Sequence, residues 1–277
     1  MDKLELEAKL AALAEMDKEP SPKEMEASEK RHFEAAKRNP NMFSNWFPKI
    51  KDCGLAVPES IAIPLTLGQF RWLISDSYSN QAICEFSDAI EAYLKNHNFN
   101  VDRTLFLKTG LFSGKFNFVN CKLTDIRNIG QQFLNIFYDE ICVGCDDASE
   151  LVVREFIESP KDLPTIYNGM ALNTEFRLFY DFDRRKSLGI FNYWDTKTML
   201  EHLRGRDLAK FAGYCQTLEY NFEKYKGDVT ERVAKAMQDV DMAGKWSVDT
   251  MLVGDKLYLT DMGRAEESYY FDRLKNE

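Results

Sequence analysis

No apolar run in the 277 residues approaches the roughly 20 that a membrane-spanning helix needs. The opening MDKLELEAKL is charged and helical in pattern, without the apolar centre of a secretory signal. Basic charge is also scarce. Lysine and arginine number 36 against 45 aspartates and glutamates, for a net charge of −9 and a pI near 5.1. That balance excludes a general affinity for nucleic acid or anionic lipid, while a local basic cleft stays compatible with it. The three histidines, His32, His97 and His202, are scattered, and Cys142 and Cys145 form a CxxC with no second pair, so the pattern of a structural zinc site is missing. Six cysteines without a secretory signal read as reduced thiols, which makes a cytoplasmic location the expectation. GxxxxGK[ST] and the glycine spacing of a dinucleotide fold are absent, as are the HRD and DFG signatures of protein kinases. Lys108-Thr109-Gly110 matches the KTG of penicillin-binding enzymes, but no SxxK accompanies it. No internal repeat or low-complexity segment occurs.

What is present is material for a core. The chain is 44% hydrophobic, and a domain of this size buries about 75% of its unfolded surface, so no cross-links are needed. Residues 2–38 read as helix, with Leu6, Leu10 and Leu13 at helical spacing and a break at Pro20 and Pro22. Ser21, Pro22 and Glu24 spell a cap, a first-turn proline and a capping-box partner for a second helix over 22–38. The mixed charge suits a solvated helical pair packed on the main body; an arm for a protein partner is the alternative. After Asn39-Pro40 the stretch FSNWFPKI (43–50) is aromatic and proline-broken. IAIPL (61–65) reads as an edge strand, because Pro64 cannot donate to a ladder. Helices follow near 66–75 and 81–96, strands at 104–109 and 118–123, a helix over 124–138, and a strand in LVVREFI (151–157). EFRLFYDF (175–182) alternates and can pair with SLGIFNYW (187–194) through Asp183–Lys186. Helices are expected over about 206–225 and 229–241, then a hairpin over 246–263 with Gly254-Asp255 at its tip. Strands interspersed with helices and antiparallel hairpins make the fold class α+β.

Positive charge recurs where chemistry could use it. Lys108 ends an apolar strand, and Lys115 follows in Ser113-Gly114-Lys115 at a turn. A glycine loop lets backbone N–H groups approach phosphate oxygens, and a lysine adds a point charge; a snorkelling strand-end lysine beside a hairpin turn fits the pattern equally. Arg154 and Arg177 lie in mid-strand and need a partner or a cleft, either an ion pair (Arg177 with Glu155 or Glu175) or a polyphosphate. In the closing hairpin an odd-membered loop puts Asp249 opposite Asp261, where opposed carboxylates invite a cation such as Mg²⁺. A two-residue turn at Gly254-Asp255 gives the cleaner apolar face and sends the two acids to opposite faces; a bulge would reconcile the two.

LFLKTGLFSGKFNF, LVVREFI, NTEFRLFYDF, NYW and WSVDTMLVGDKLYLTDMG occur in an order that resembles the ATP-grasp proteins. The similarity is to the phage and bacterial clade named for two arginines and a lysine, and to its relatives, the eukaryotic cell-division-cycle ATP-grasp proteins that help assemble translation initiation factor two. FSNWFPKIKDCGLAVPESIAIPL (43–65) is also similar to the opening of those eukaryotic proteins, so the resemblance spans about residues 43–271. It implies two α+β lobes gripping ATP between antiparallel sheets, divided as a helical extension (1–38), a preceding region (39–98), a first lobe (99–155) and a second lobe (156–277). It further implies that Lys108 contacts the ATP phosphates, and that Ser113, Gly114 and Lys115 belong to a mobile loop over them. Glu155, Phe156 and Ile157 would form the hinge whose backbone reads adenine; Arg154 and Arg177 would be the two arginines, and Asp249 and Asp261 would hold Mg²⁺. Gly263 stands where family members usually carry an asparagine as a further metal ligand, so Glu266, Glu267 or a water would take that place.

The activity implied is a carboxylate–amine ligase acting through an acylphosphate, with Lys115 and Arg177 neutralising the transferring group. ATP and Mg²⁺ are the expected cofactors, and small-molecule, peptide or protein carboxylates and amines the expected substrates, in a bacterial or phage-infected cell. The alternative is a noncatalytic ATP-binding assembly factor, with a protein partner on the N-terminal helices.

Overall fold

The computed structural model describes residues 21–75 and 77–275; the first expected helix, with Leu6, Leu10 and Leu13, lies outside the described residues. In chain order the elements are α1 (Pro22–Arg38), α2 (Phe43–Ile50), β1 (Ser60–Pro64), α3 (Leu67–Ile74), α4 (Asn80–Asn96), β2 (Leu105–Thr109), β3 (Lys122–Leu123), α5 (Ile129–Cys142) and β4 (Glu150–Glu155). Then come β5 (Thr165–Ile166), β6 (Met170–Ala171), β7 (Thr174–Asp181), β8 (Lys186–Asn192), α6 (Thr196–His202), α7 (Gly205–Ala212), α8 (Cys215–Met237), β9 (Lys245–Val253) and β10 (Lys256–Arg264). Helix α1 begins as its sequence implies: the Ser21 side chain accepts from the Glu24 N–H, and Glu24 Oε2 accepts from the Ser21 N–H at 2.8 Å. None of the helices among the described residues is long and apolar enough to cross a membrane.

Two antiparallel four-stranded sheets organise the chain, one in the order β1-β4-β2-β3 and the other β10-β9-β7-β8. The alternation of side chains along each strand gives each sheet one apolar face and one mixed face. On the first sheet, Ile63, Leu105, Leu107, Leu151 and Val153 pack against Phe70, Ile90, Leu94, Phe133 and Phe137 of α3, α4 and α5. On the second, Phe176, Leu178, Val248, Leu257 and Leu259 pack against Val229, Val233 and Met237 of α8. Helix α2 joins this second core through Phe43, Trp46 and Ile50, and so does Val152 of the first sheet, which ties the sheets together. A third cluster, built on Phe118, Ile166, Trp194 and Phe211, closes the remaining end around the β5–β6 ribbon. The α+β class, with two sheet-and-helix lobes enclosing a cleft, is therefore what the chain adopts. Pro64 lies on the edge strand β1, as its missing N–H requires.

Four local expectations change. FSNWFPKI is a helix despite Pro48: one backbone bond is forgone, while the fully buried Phe43, Trp46 and Ile50 hold the turn pair in place. Residues 115–120 form a 3₁₀ segment, so of the strand expected over 118–123 only Lys122–Leu123 joins the sheet. Gly114 enters it at φ +58°, and the Phe118 N–H is used by the Tyr167 carbonyl at 2.8 Å, so this backbone is spent outside the ladder. Helix α5 starts later than expected and runs to Cys142, after a 3₁₀ turn capped by Asp125. The stretch expected as two helices over 206–225 and 229–241 breaks instead at Gly213-Tyr214 and then continues unbroken as α8, through Gly227.

Candidate functional site

The hairpin β9–β10 resolves the question of register. Its turn has two residues, Gly254 and Asp255, with Val253 opposite Lys256 and Gly254 at φ +58°. The apolar face with Leu257 and Leu259 follows from that register. Between Leu259 and Asp261 the register then shifts by one residue, and Thr260 is the extra. The bulge reverses the facing of everything beyond it, so Asp261 sits opposite Asp249 on the cleft face. Because β9 lies between β7 and β10, Arg177, Asp249 and Asp261 form one row across three strands.

Each acid of that row holds a cation. Arg177 donates to Asp249 with Nε at 2.8 Å and Nη2 at 2.7 Å, a bidentate fork. Lys108, on β2 of the other sheet and 1% exposed, donates to both oxygens of Asp261 at 3.0 and 2.8 Å. Arg177 therefore pairs with Asp249, not with Glu155 or Glu175 as composition allowed. Burial would raise the Asp261 carboxyl, but the Lys108 ammonium, with Arg154 and Lys115 behind it, holds it below the usual carboxylate range. Arg154, opposite Phe106 on the neighbouring strand, donates from Nη1 to the carbonyl of the bulged Thr260 at 2.6 Å. Its Nε is buried with no protein partner. Lys115 reaches Glu175 at 3.9 Å and lies 4.9 Å from the ring centroid of Tyr193, whose ring Arg177 approaches at 5.2 Å. Glu175 is 3% exposed; burial, with the Asp249 charge adding and Lys115 opposing, pushes its carboxyl up to about 7.

A cavity of about 350 Å³ lies between the sheets, and Arg177 and Asp249 adjoin it through the row they form with Asp261. Lys108, Ser113, Lys115, Arg154, Glu175 and Asp261 line it. Glu155, Phe156 and Ile157 line it too, with Phe106, Phe118 and Met170 as apolar lining and Lys122 over the Phe156 ring at 4.3 Å. The structure thus brings together Lys108, Lys115, Arg154, Arg177, Asp249 and Asp261, with Ser113 on the rim and the 155–157 segment beyond. Gly114 contributes the left-handed turn that presents Lys115. A slot lined by both apolar rings and cations offers surfaces for a planar base and for anionic oxygens, the chemistry a nucleotide needs. The two opposed carboxylates are hard oxygen donors of the kind Mg²⁺ takes, sharing its shell with phosphates or water. Among the described residues no group of three or more His, Cys, Asp or Glu side chains could hold a metal ion by itself. The orphaned Arg154 Nε and the row of opposed acids fit a triphosphate carrying its own cation.

Several participants escape a sequence reading. Glu175 stands out only as an acid two residues before Arg177 on the same strand face, and Tyr193 only as an aromatic in the NYW run. The segment before the first sheet also walls the site. The Phe43 N–H donates to the Gly110 carbonyl at 3.1 Å, the Ser44 N–H to Glu150 Oε1 at 2.8 Å, and the Phe43 ring lies 5.9 Å from Lys108 Nζ. Asn41 Oδ1 accepts the Arg264 N–H at 2.6 Å, beside Gly263, where an asparagine is usual in the family resembled. A second cavity of about 420 Å³, lined by Asn41, Gly110, Asp146 and Glu267, meets the first at Asp261.

No protein-family model matches the chain, and no curated protein sequence does. Among solved structures, Cdc123 from Schizosaccharomyces pombe aligns with 85% of this chain and 89% of its own at 16% identity, with a TM-score of 0.51. D-alanine–D-alanine ligase from Bacillus anthracis, complexed with ATP, aligns with 80% of this chain and 52% of its own at 11% identity and a TM-score of 0.36. A RimK-domain ATP-grasp protein from Sphaerobacter thermophilus aligns with 78% and 55% at 12% identity and a TM-score of 0.35. This chain spans about half the length of those two proteins. At such identities a likeness is one of fold, and the fold this chain shares across most of its length is that of Cdc123.

Proposed function

We propose that the cleft binds ATP with Mg²⁺ and that the protein is an ATP-grasp-type carboxylate–amine ligase. The observation that carries the reading is convergence: Lys108, Lys115 and Arg154 line one slot with the apolar Phe106, Phe118 and Met170, and Arg177 and Asp249 adjoin it through the row they form with Asp261. Three of these cations have a resident carboxylate, but Arg154 is held only by a backbone carbonyl and its buried Nε is unpartnered, a donor that an anionic ligand would satisfy. ATP supplies a phosphoryl group that activates a carboxylate toward an amine, and the metal ion offsets part of the triphosphate charge. Lys108 and Arg154 would grip the phosphates from the first sheet. Lys115 and Arg177 would face the transferring group, and Asp249 and Asp261 would hold the metal. The backbone of Glu155, Phe156 and Ile157 would take the base, and the 110–117 loop would exclude water over the phosphates. No nucleophilic side chain is required, because phosphoryl transfer depends mainly on position and charge stabilisation.

A second reading, a noncatalytic ATP-binding assembly factor, is supported by the likeness to Cdc123 and by Gly263, which brings no third ligand to the acidic row. Incubation with ATP, Mg²⁺ and pooled amino acids or peptides separates the two. A ligase yields ADP and a dehydrated adduct. Bound ATP with no ADP formed supports the assembly factor, and failure to bind ATP removes both.

A further inference from the structure

We propose that Asp249 and Asp261 are resident counter-ions of the cleft, so that a divalent cation and a nucleoside triphosphate enter by a paired exchange and each alone is opposed. The inference rests on the cleft being the ATP·Mg²⁺ site and adds what controls its filling.

Both oxygens of Asp261 are engaged by Lys108, and both oxygens of Asp249 by Arg177. A divalent cation arriving alone must take these carboxylates from their partners. That leaves the Lys108 ammonium, 1% exposed, and the Arg177 guanidinium without counter-charge. A triphosphate arriving alone takes the cations and leaves two carboxylates directly opposite each other on neighbouring strands, where like charges repel. In each case a buried charge loses its partner, the costly half of any buried ion pair. When both arrive, every group exchanges one partner of opposite sign for another: carboxylates turn to the cation, and Lys108 and Arg177 turn to phosphate oxygens. Arg154 is the exception among the four cations, since only a backbone carbonyl holds it and its Nε is unpartnered. It meets a phosphate without breaking an ion pair. By linkage, whatever factor the nucleotide adds to cation affinity the cation adds to nucleotide affinity, in a range of about 5- to 150-fold for coupled sites.

ATP and divalent cations also associate in free solution, so the decisive measurement uses the cation alone. Mn²⁺ binding to the full chain, read by electron paramagnetic resonance without nucleotide, should be weak in the wild type. Lys108→Met frees Asp261 while keeping a side chain of similar length, and should raise Mn²⁺ affinity by at least about tenfold, as the release of a masking partner implies. Arg177→Met frees Asp249 and should act in the same direction, which keeps the test open if one variant misfolds. Lys122→Met is the control: its ammonium also lines the cleft but lies over the Phe156 ring at 4.3 Å, and it does not hold Asp249 or Asp261, whose oxygens are taken by Arg177 and Lys108. Unchanged or weaker Mn²⁺ binding in both unmasked variants overturns the inference, and so does an equal gain in Lys122→Met. Wild-type protein that binds no ATP analogue with Mn²⁺ overturns the ATP reading itself; binding with no unmasking gain overturns only the exchange.

Discussion

Arg177 and Asp249 offer the most quantitative test of how the site is held together. The pair makes two charge-assisted hydrogen bonds at 2.8 and 2.7 Å, and Asp249 is 6% exposed. Arg177→Met leaves that carboxylate buried opposite a second one; removing one partner of such a pair costs about 3–5 kcal/mol. Asp249→Leu strands the guanidinium at similar cost, eased because the repulsion of Asp261 disappears with it. The double variant strands neither charge and buries two apolar chains in their place, so its cost should fall well below that of either single one. The coupling energy should then be at least about 2 kcal/mol in favour of the pair. Equilibrium urea unfolding in EDTA, with the slope checked for constancy across the cycle, provides the number. Singles that each cost under about 1 kcal/mol, the range of exposed pairs, would refute the claim that the cleft floor is a desolvated ion-pair row; so would an additive double.

Gly110→Ala should destabilise the fold by about 1–3 kcal/mol, as overpacking does. A Cβ there collides with the Met42 sulfur and falls 2.7 Å from Glu150 Cγ, in a position from which Gly110 also receives the Phe43 N–H. A thermal melt indistinguishable from wild type would show that α2 and β2 can slide apart freely. Glu140 gives a pH signature. It is 1% exposed, Oε1 accepts from the Thr109 hydroxyl at 2.8 Å, Oε2 has no partner, and burial pushes its carboxyl up to about 8 from 4.5. The folded state keeps a proton that the unfolded state has lost, so this contribution is full below pH 4.5 and declines as pH rises through 8. Glu140→Gln should flatten that decline in urea titrations between those limits, and an unchanged slope would place the proton elsewhere.

Period-2 alternation made the second sheet legible: EFRLFYDF, its partner strand and the closing hairpin stand at or within a residue or two of where the pattern puts them. The capping box of α1 and the edge strand at Pro64 follow from equally local rules. Lys108, Arg154 and Arg177 could be singled out because mid-strand or strand-end charges need an explanation. What could not be read depends on distant parts of the chain. By pattern the Asp249–Asp261 opposition and the apolar face of the hairpin demand different turns unless a bulge joins them; the Thr260 bulge supplies both, and Arg154, distant in sequence, satisfies its carbonyl. Arg177 finds Asp249 because β9 inserts between β7 and β10, a strand order that no local pattern encodes. The start of the strand expected over 118–123 leaves the ladder, its Phe118 N–H given to the Tyr167 carbonyl some 50 residues away in sequence. The break expected between 225 and 229 does not occur: Gly227 costs about 1 kcal/mol in a helix interior, small beside the burial of Leu218 before it and of Val229 and Val233 after it.

The central claim is tested most directly by a crystal structure of the full chain with a non-hydrolysable ATP analogue and Mg²⁺. The account predicts phosphate oxygens on Lys108 and Arg154, the metal ion between Asp249 and Asp261, and the base against the backbone of residues 155–157. An analogue bound away from this cleft, with Lys108 still on Asp261 and Arg177 still on Asp249, would contradict it.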